Sequence, residues 1–138
     1  MKSLKITLLL ICLSVISLSS VAQNSANELA GVFQFDEETI DYGTINKNDN
    51  GIRVFKFKNS GKSPIVISNI KTSCGCTVPS YSKAPILPGE SGTIEVKYAT
   101  NRQGKFSKSL TIYSNADEPQ KRIQIKGNVV KKDSKTIK

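Results

Sequence analysis

Seven short runs of this chain alternate apolar and polar residues one by one, and that period of two is what most restricts its fold. The clearest are residues 93–98, where Ile94, Val96 and Tyr98 interleave with Thr93, Glu95 and Lys97, and residues 122–126, where Ile123 and Ile125 interleave with Arg122, Gln124 and Lys126. Successive side chains of a strand point to opposite faces, so each run offers one face to a core and one to water. Residues 32–35, 40–45, 52–58, 65–70 and 110–113 read the same way. Turn chemistry separates them. Asn50-Gly51 tolerates positive φ, Asn59-Ser60-Gly61 and Pro88-Gly89 reverse the chain, and residues 115–119 divide the last two strands. Outside the N-terminal apolar run there is no helical periodicity, so the crossover helices of a parallel sheet are missing. The expected fold is all-β: a single immunoglobulin-like antiparallel β-sandwich of about seven strands. Its predicted core holds Phe55, Phe57, Ile65, Ile67, Ile94, Val96, Leu110, Ile112, Ile123 and Ile125. The chain has no Trp, and its last two cysteines are one residue apart. It therefore lacks the inter-sheet disulfide and buried Trp of antibody domains, and core packing must hold the layers.

The first residues read as a targeting segment. Lys2 and Lys5 precede and open the apolar run 6–18, and small residues stand at Ser20 and Ala22, the three-part pattern of a secretory signal peptide. That run has 13 residues, whereas a spanning helix needs about 20. Cleavage after Ala22 is expected, which discards Cys12 and leaves no membrane span in the mature chain. The expected organisation is a signal peptide over 1–22, a flexible N-terminal segment over 23–31, the sandwich domain over 32–130 and a basic C-terminal tail over 131–138. Such a protein is exported, to the periplasm or beyond the cell. One domain's worth of chain remains, enough to bury roughly 65% of its unfolded surface around one core.

Charge is unevenly spread. The full chain has 20 basic and 11 acidic side chains, net +9, with six acids between Glu28 and Asp49. From Gly51 onward 17 basic residues face 5 acidic ones. Such a field attracts anionic surfaces. The lysines are not interleaved with aromatic stacking platforms, and an exported protein rarely meets nucleic acid, so a nucleic-acid partner is not expected. Lysines of this kind solvate sheet faces and guard strand edges.

Absences narrow the chemistry further. There is no His, which removes Ser-His-Asp and Cys-His nucleophile arrangements and imidazole metal sites. A closed zinc site would have to be completed by carboxylates, and no phosphate-binding or calcium loop is present. What remains is Thr72-Ser73-Cys74-Gly75-Cys76-Thr77, where a strand-like run gives way to a loop stiffened by Pro79, Pro85 and Pro88. On a strand, Cys74 and Cys76 would share a face. Two extended residues span roughly 6.6–7.2 Å, so a disulfide requires contraction at Gly75. Four readings stay open: a passive disulfide, two small buried side chains, a redox-active thiol pair, and a soft-thiolate Cu(I) site with Cys74 and Cys76 as ligands. Ser73 and Thr77, with Thr72, are placed to cap the turn or to donate to a thiolate.

Phe57-Lys58-Asn59-Ser60-Gly61, Pro64-Ile65-Val66-Ile67, Ser73-Cys74-Gly75-Cys76-Thr77-Val78-Pro79, Pro88-Gly89, Gly104-Lys105-Phe106-Ser107-Lys108 and Ser114-Asn115 follow one another through to Gly127. This ordered set resembles the bacterial domain-of-unknown-function family 1573, over about residues 33–130. The resemblance implies a sandwich similar to major sperm protein and ASPM-SPD-2-hydin domains, which act as interaction and assembly modules, and it carries over no catalytic residue. Two functional expectations result: an exported, non-catalytic module binding a protein or envelope partner, or a thiol site at Cys74 and Cys76.

Overall fold

The computed structural model describes residues 29–131, so the expected signal peptide, most of the segment 23–31 and nearly all of the tail 131–138 lie outside the described residues. Eight strands follow in chain order: β1 (Phe33–Phe35), β2 (Thr39–Asn46), β3 (Ile52–Asn59), β4 (Ile67–Thr72), β5 (Thr77–Tyr81), β6 (Ser91–Tyr98), β7 (Gly104–Ser114) and β8 (Gln120–Val130). They form two four-stranded sheets, ordered β1-β3-β6-β5 and β2-β8-β7-β4. Among the described residues there is no helix, and none is long and apolar enough to cross a membrane.

The layers meet through the inward positions of the alternating runs. All ten residues assigned to the core from sequence are buried, none more than 2% exposed. Fully burying one such side chain contributes about 1.5–3 kcal/mol, which makes this set the main source of cohesion. Aromatic rings close both ends of the core. Phe33, Phe35, Phe55 and Phe57 pack edge to face and tilted at one end. At the other, the Tyr98 and Phe106 rings stack 3.8 Å apart with Tyr42 against them.

Three expectations need correction. The run Thr77–Tyr81, read as a Pro-rich loop, is the extra strand β5, paired with β6 from Thr77↔Tyr98 to Tyr81↔Ile94. A Pro is tolerated there because β5 is an edge. The sheets are also not wholly antiparallel: β2 runs parallel to β8, with a bulge between Asp41 and Thr44. Joining the domain's first long strand to its last needs no local turn, so nothing in the intervening sequence dictates direction. Finally, Gly51 does not supply the positive φ of its turn; Asn48 does, at 67°. Gly51 is required by space, because a Cβ there would lie 2.2 Å from the Tyr98 carbonyl oxygen. Gly89, at φ 82°, does serve the Pro88-Gly89 turn as expected. The 65–70 run becomes regular only at Ile67, while Ile65 pairs across a single bridge with Ile86.

Two side-chain amides, the buried Asn59 and the exposed Asn115, replace missing ladder partners in the irregular connections. Asn59 accepts from Val32 N–H and Gly61 N–H through Oδ1 and donates through Nδ2 to the Ser63 and Ile86 carbonyls. Asn115 accepts from Val66 N–H and donates to the Pro64 carbonyl. Both keep polar backbone satisfied where no strand neighbour exists. At the N-terminal side, the Ala30 carbonyl accepts from Lys62 N–H and the Leu29 carbonyl from Ser63 Oγ, tying the last residues before β1 to the β3–β4 connection.

Candidate functional site at the Cys74-Gly75-Cys76 turn

Cys74, Gly75 and Cys76 form the turn that carries the chain from β4, an edge of one sheet, to β5, an edge of the other. They are not on a strand, contrary to the same-face argument from sequence. The turn itself shortens the separation: the Cα atoms of Cys74 and Cys76 are 5.3 Å apart and a disulfide joins the side chains. That spacing lies within the roughly 4.4–6.8 Å usual for such bonds.

Hydrogen bonds hold the turn at both ends. Ser73 N–H donates to the Ser109 carbonyl at 2.9 Å, and Ser73 Oγ accepts from Ser109 N–H at 3.1 Å. Thr72 Oγ1 donates to the Cys74 carbonyl at 2.8 Å, and the Cys76 carbonyl accepts from Ala99 N–H at 2.9 Å. Ser73 and Thr72 thus cap the turn. Thr77 is different: its buried hydroxyl lies 3.8 Å from Cys74 Sγ and 3.9 Å from Cys76 Sγ. One hydroxyl therefore touches both sulfurs, a contact that sequence spacing does not reveal because it depends on the turn's curvature. Cys76 is 5% exposed, Cys74 is half-buried, and Gly75 is exposed with no atom within 4 Å of where a Cβ would stand. With the bond formed neither sulfur is a thiolate, so the Cu(I) reading requires reduction first. Among the described residues no group of three or more His, Cys, Asp or Glu side chains converges on a point.

The sheet edges beside the turn are unequal. In an antiparallel ladder, hydrogen-bonded pairs alternate with non-bonded ones, so the outward groups of an edge strand can be read from one bond. Ala99 N–H to the Cys76 carbonyl places Cys76, Val78 and Ser80 in bonded pairs with β6. Pro79 is then the outward residue at the middle of β5, where it presents no N–H. On β4, the Ser73–Ser109 bond places Lys71 and Asn69 in bonded pairs with β7, which leaves the N–H and C=O of Ile70 and Thr72 directed outward. The β2 edge is blunted by its bulge and by side chains: Asp41 Oδ1 accepts from Gly43 N–H, and Asp49 Oδ2 from Asn46 N–H. β1 has three residues. β4 has a register shift of its own between Ile67 and Asn69, and beyond it Asn69–Thr72 is the stretch left open.

Three groups have displaced titration, and one of them, Tyr98, pairs across β5 and β6 with Thr77. Burial pushes the Tyr42 hydroxyl up to about 12, against a smaller opposing pull from Arg53. The Arg53 guanidinium sits 4.4 Å above that ring, and the hydroxyl donates to the Gly51 carbonyl at 2.8 Å. Burial also raises Tyr98. The hydrogen bond to Glu38 raises Lys121, which is 2.7 Å from that carboxylate and 3.2 Å from Glu118. These are features of packing and of surface pairing.

The sequence profile of a family described as "Protein of unknown function (DUF1573)" matches residues 33–129. The chain belongs to this family. No curated protein matches by sequence. Among solved structures, a protein of unknown function from Porphyromonas gingivalis W83 superposes with a TM-score of 0.63 at 18% identity, over 74% of this chain and 48% of that one. This chain thus spans about half the length of that relative. PapD-like domain 7 of human CEP192, an ASH domain, superposes with a TM-score of 0.65 at 9% identity, covering 86% of this chain and 99% of that one. A chain from the CsuC-CsuE chaperone-tip adhesion subunit pre-assembly complex of Acinetobacter baumannii gives 0.51 at 17% identity, over 73% and 57% of the two chains. Identities this low establish the fold, a PapD-like sandwich of the kind the family resemblance implied, and nothing of substrate.

Proposed function

We propose that this DUF1573 domain is an exported, non-catalytic binding and assembly module that receives an extended segment of a protein partner along β4. The observation that carries this is the inequality of the edges. Pro79 removes the central outward donor of β5, β2 is capped by Asp41 and Asp49, and β1 is short, whereas past the bulge of β4 Ile70 and Thr72 direct two N–H and two C=O groups outward in register. Main-chain pairing at such an edge supplies affinity, and alternate side chains supply selection. Sandwiches of the same fold in a chaperone–adhesin pre-assembly complex support an assembly role. Export is supported by the N-terminal pattern of Lys2, Lys5, the apolar run and Ala22.

Amide hydrogen exchange with a partner captured from envelope extract tests the reading. The Ile70 and Thr72 amides, open to water in the free domain, are expected to gain protection in the complex, with the amides of β5 unchanged. Protection confined to other strands, or no reproducible partner across several salt concentrations, would count against it.

A further inference from the structure

Beyond docking, we infer that the Cys74–Cys76 disulfide is an exchangeable oxidant for a protein dithiol, with Cys74 the sulfur that is attacked and Cys76 the one that leaves. The inference rests on the turn alone and does not require the β4 edge to bind anything. A cross-link restrains the unfolded chain more as its loop lengthens, and this one closes over a single intervening residue. It therefore adds little to the fold. The turn is instead held by bonds that do not involve sulfur: Ser73 to Ser109 in both directions, and Ala99 to the Cys76 carbonyl. Opening the bond leaves both cysteine backbones in place, so the dithiol form is folded and poised to close again.

Access is one-sided. Cys76 is buried at 5% exposure and packs in the core cluster. Cys74 is half-buried, and the exposed Gly75 leaves an open approach beside it. Cys74 also packs against the core cluster, but of the two it is the more exposed, so an incoming thiolate meets it first. The buried Thr77 hydroxyl, within 3.9 Å of each sulfur, is placed to donate to the one that becomes anionic. The 17 basic against 5 acidic residues from Gly51 onward also favour the approach of an anion.

The exchange balances as follows. One thiolate of the partner dithiol attacks Cys74 Sγ, forming a mixed disulfide as the Cys74–Cys76 bond breaks, and the electron pair departs on Cys76 Sγ, which takes a proton from water. The partner's second thiolate then attacks its own sulfur in the mixed disulfide, and Cys74 leaves as a thiolate and is protonated. Two electrons and two protons pass to the cysteine pair, and the partner departs as a disulfide.

The test uses dithiothreitol as the probe dithiol and oxidised glutathione as the probe disulfide, read by intact mass. Without denaturant, dithiothreitol is expected to add two hydrogens to the protein while its β-type circular dichroism stays unchanged. With glutathione, Cys76→Ser is expected to form the mixed disulfide at Cys74 at least about tenfold faster than Cys74→Ser forms it at Cys76, because thiol exchange follows access. Thr77→Val is expected to slow opening several-fold, with Thr77→Ser restoring it. Equal rates for the two cysteine variants, or reduction of the wild-type protein only in denaturant or with loss of its β signal, would overturn the proposal.

Discussion

Replacing Asn59 by alanine is expected to lower stability by about 3–4 kcal/mol, a large share of what a domain of this size possesses. The side chain is fully buried and makes four hydrogen bonds, of 3.1 Å from Val32 N–H, 3.0 Å from Gly61 N–H, 2.8 Å to the Ser63 carbonyl and 2.9 Å to the Ile86 carbonyl. Each contributes about 1 kcal/mol net, and a buried group left unpaired costs more than that. The Ile86 carbonyl keeps a second donor, Ile65 N–H at 2.9 Å, which limits the penalty at the most buried of the four. For a sandwich of about a hundred residues, each kcal/mol moves the midpoint by about 4 °C or somewhat more, so thermal unfolding followed by circular dichroism should shift down by roughly 12–16 °C. Amide exchange should rise at Val32 and Gly61 while Phe55 and Ile94 in the core keep their protection. Asn59→Asp should be at least as damaging, since a carboxylate oxygen would face two carbonyls. A midpoint within about 5 °C of wild type would refute the reasoning, because water would then be replacing the amide at little cost.

Glycine substitutions separate space from motif. Gly127→Ala should destabilise by about 1–3 kcal/mol, since overpacking forces neighbours to move, and the added Cβ would stand 2.8 Å from both the Phe106 ring and Tyr42 Cβ. Gly75→Ala meets nothing within 4 Å and should change the midpoint of urea unfolding by no more than about 0.5 kcal/mol equivalent. For Tyr42 the folded hydroxyl titrates near 12 against an ordinary 10, so the folded state binds more protons between those values. Stability from this group is complete below pH 10 and lost as pH rises toward 12. The gap in full corresponds to about 2.7 kcal/mol, an upper bound for this one group. Tyr42→Phe should be less stable at neutral pH by about 1 kcal/mol, from the lost bond to Gly51, and should show a flatter alkaline decline. Changing Cys74 and Cys76 together to Ser should lower stability by no more than about 2 kcal/mol, given a three-residue loop, and a larger loss in urea unfolding would mark the bond as structural.

The two-layer fold was legible because the pattern that records it is local. Phe55, Phe57, Ile94, Val96, Ile123 and Ile125 each announce an inward face by their neighbours, and all are buried. β5 was missed because Pro79 lowers the reading of Thr77–Tyr81 as a strand, although the same residue is the mark of an edge. The limit Pro sets on position was the available signal; alternation was not, since Val78 is exposed and Thr77 buried. The parallel pairing of β2 with β8 carries no such signal, since it joins residues more than eighty positions apart. At the candidate site, the spacing of Cys74 and Cys76 marks them as a pair, but the turn is what brings their Cα atoms to 5.3 Å. That one hydroxyl, of Thr77, serves both sulfurs follows only from the bend of the turn.

The position of the disulfide relative to the open edge has a physical reason. A chain that crosses from an edge of one sheet to an edge of the other leaves both ladders, and only the ends of the crossing keep a neighbour's bond, Ser73 with Ser109 and Cys76 with Ala99. Here capping by Thr72 and Ser73 satisfies the backbone without filling the space above Gly75. The same departure ends the cover over β4, so the outward Thr72 amide and the half-buried Cys74 sulfur lie within three residues of each other. If a partner strand pairs along β4, its end must pass beside Cys74. A cysteine engineered at successive positions of the captured partner segment would then form a mixed disulfide with Cys74 at one register and not at those two residues away, whose side chains stand about 6.8 Å along the strand. Trapping at every position alike would show that docking along β4 and exchange at Cys74 do not share a geometry.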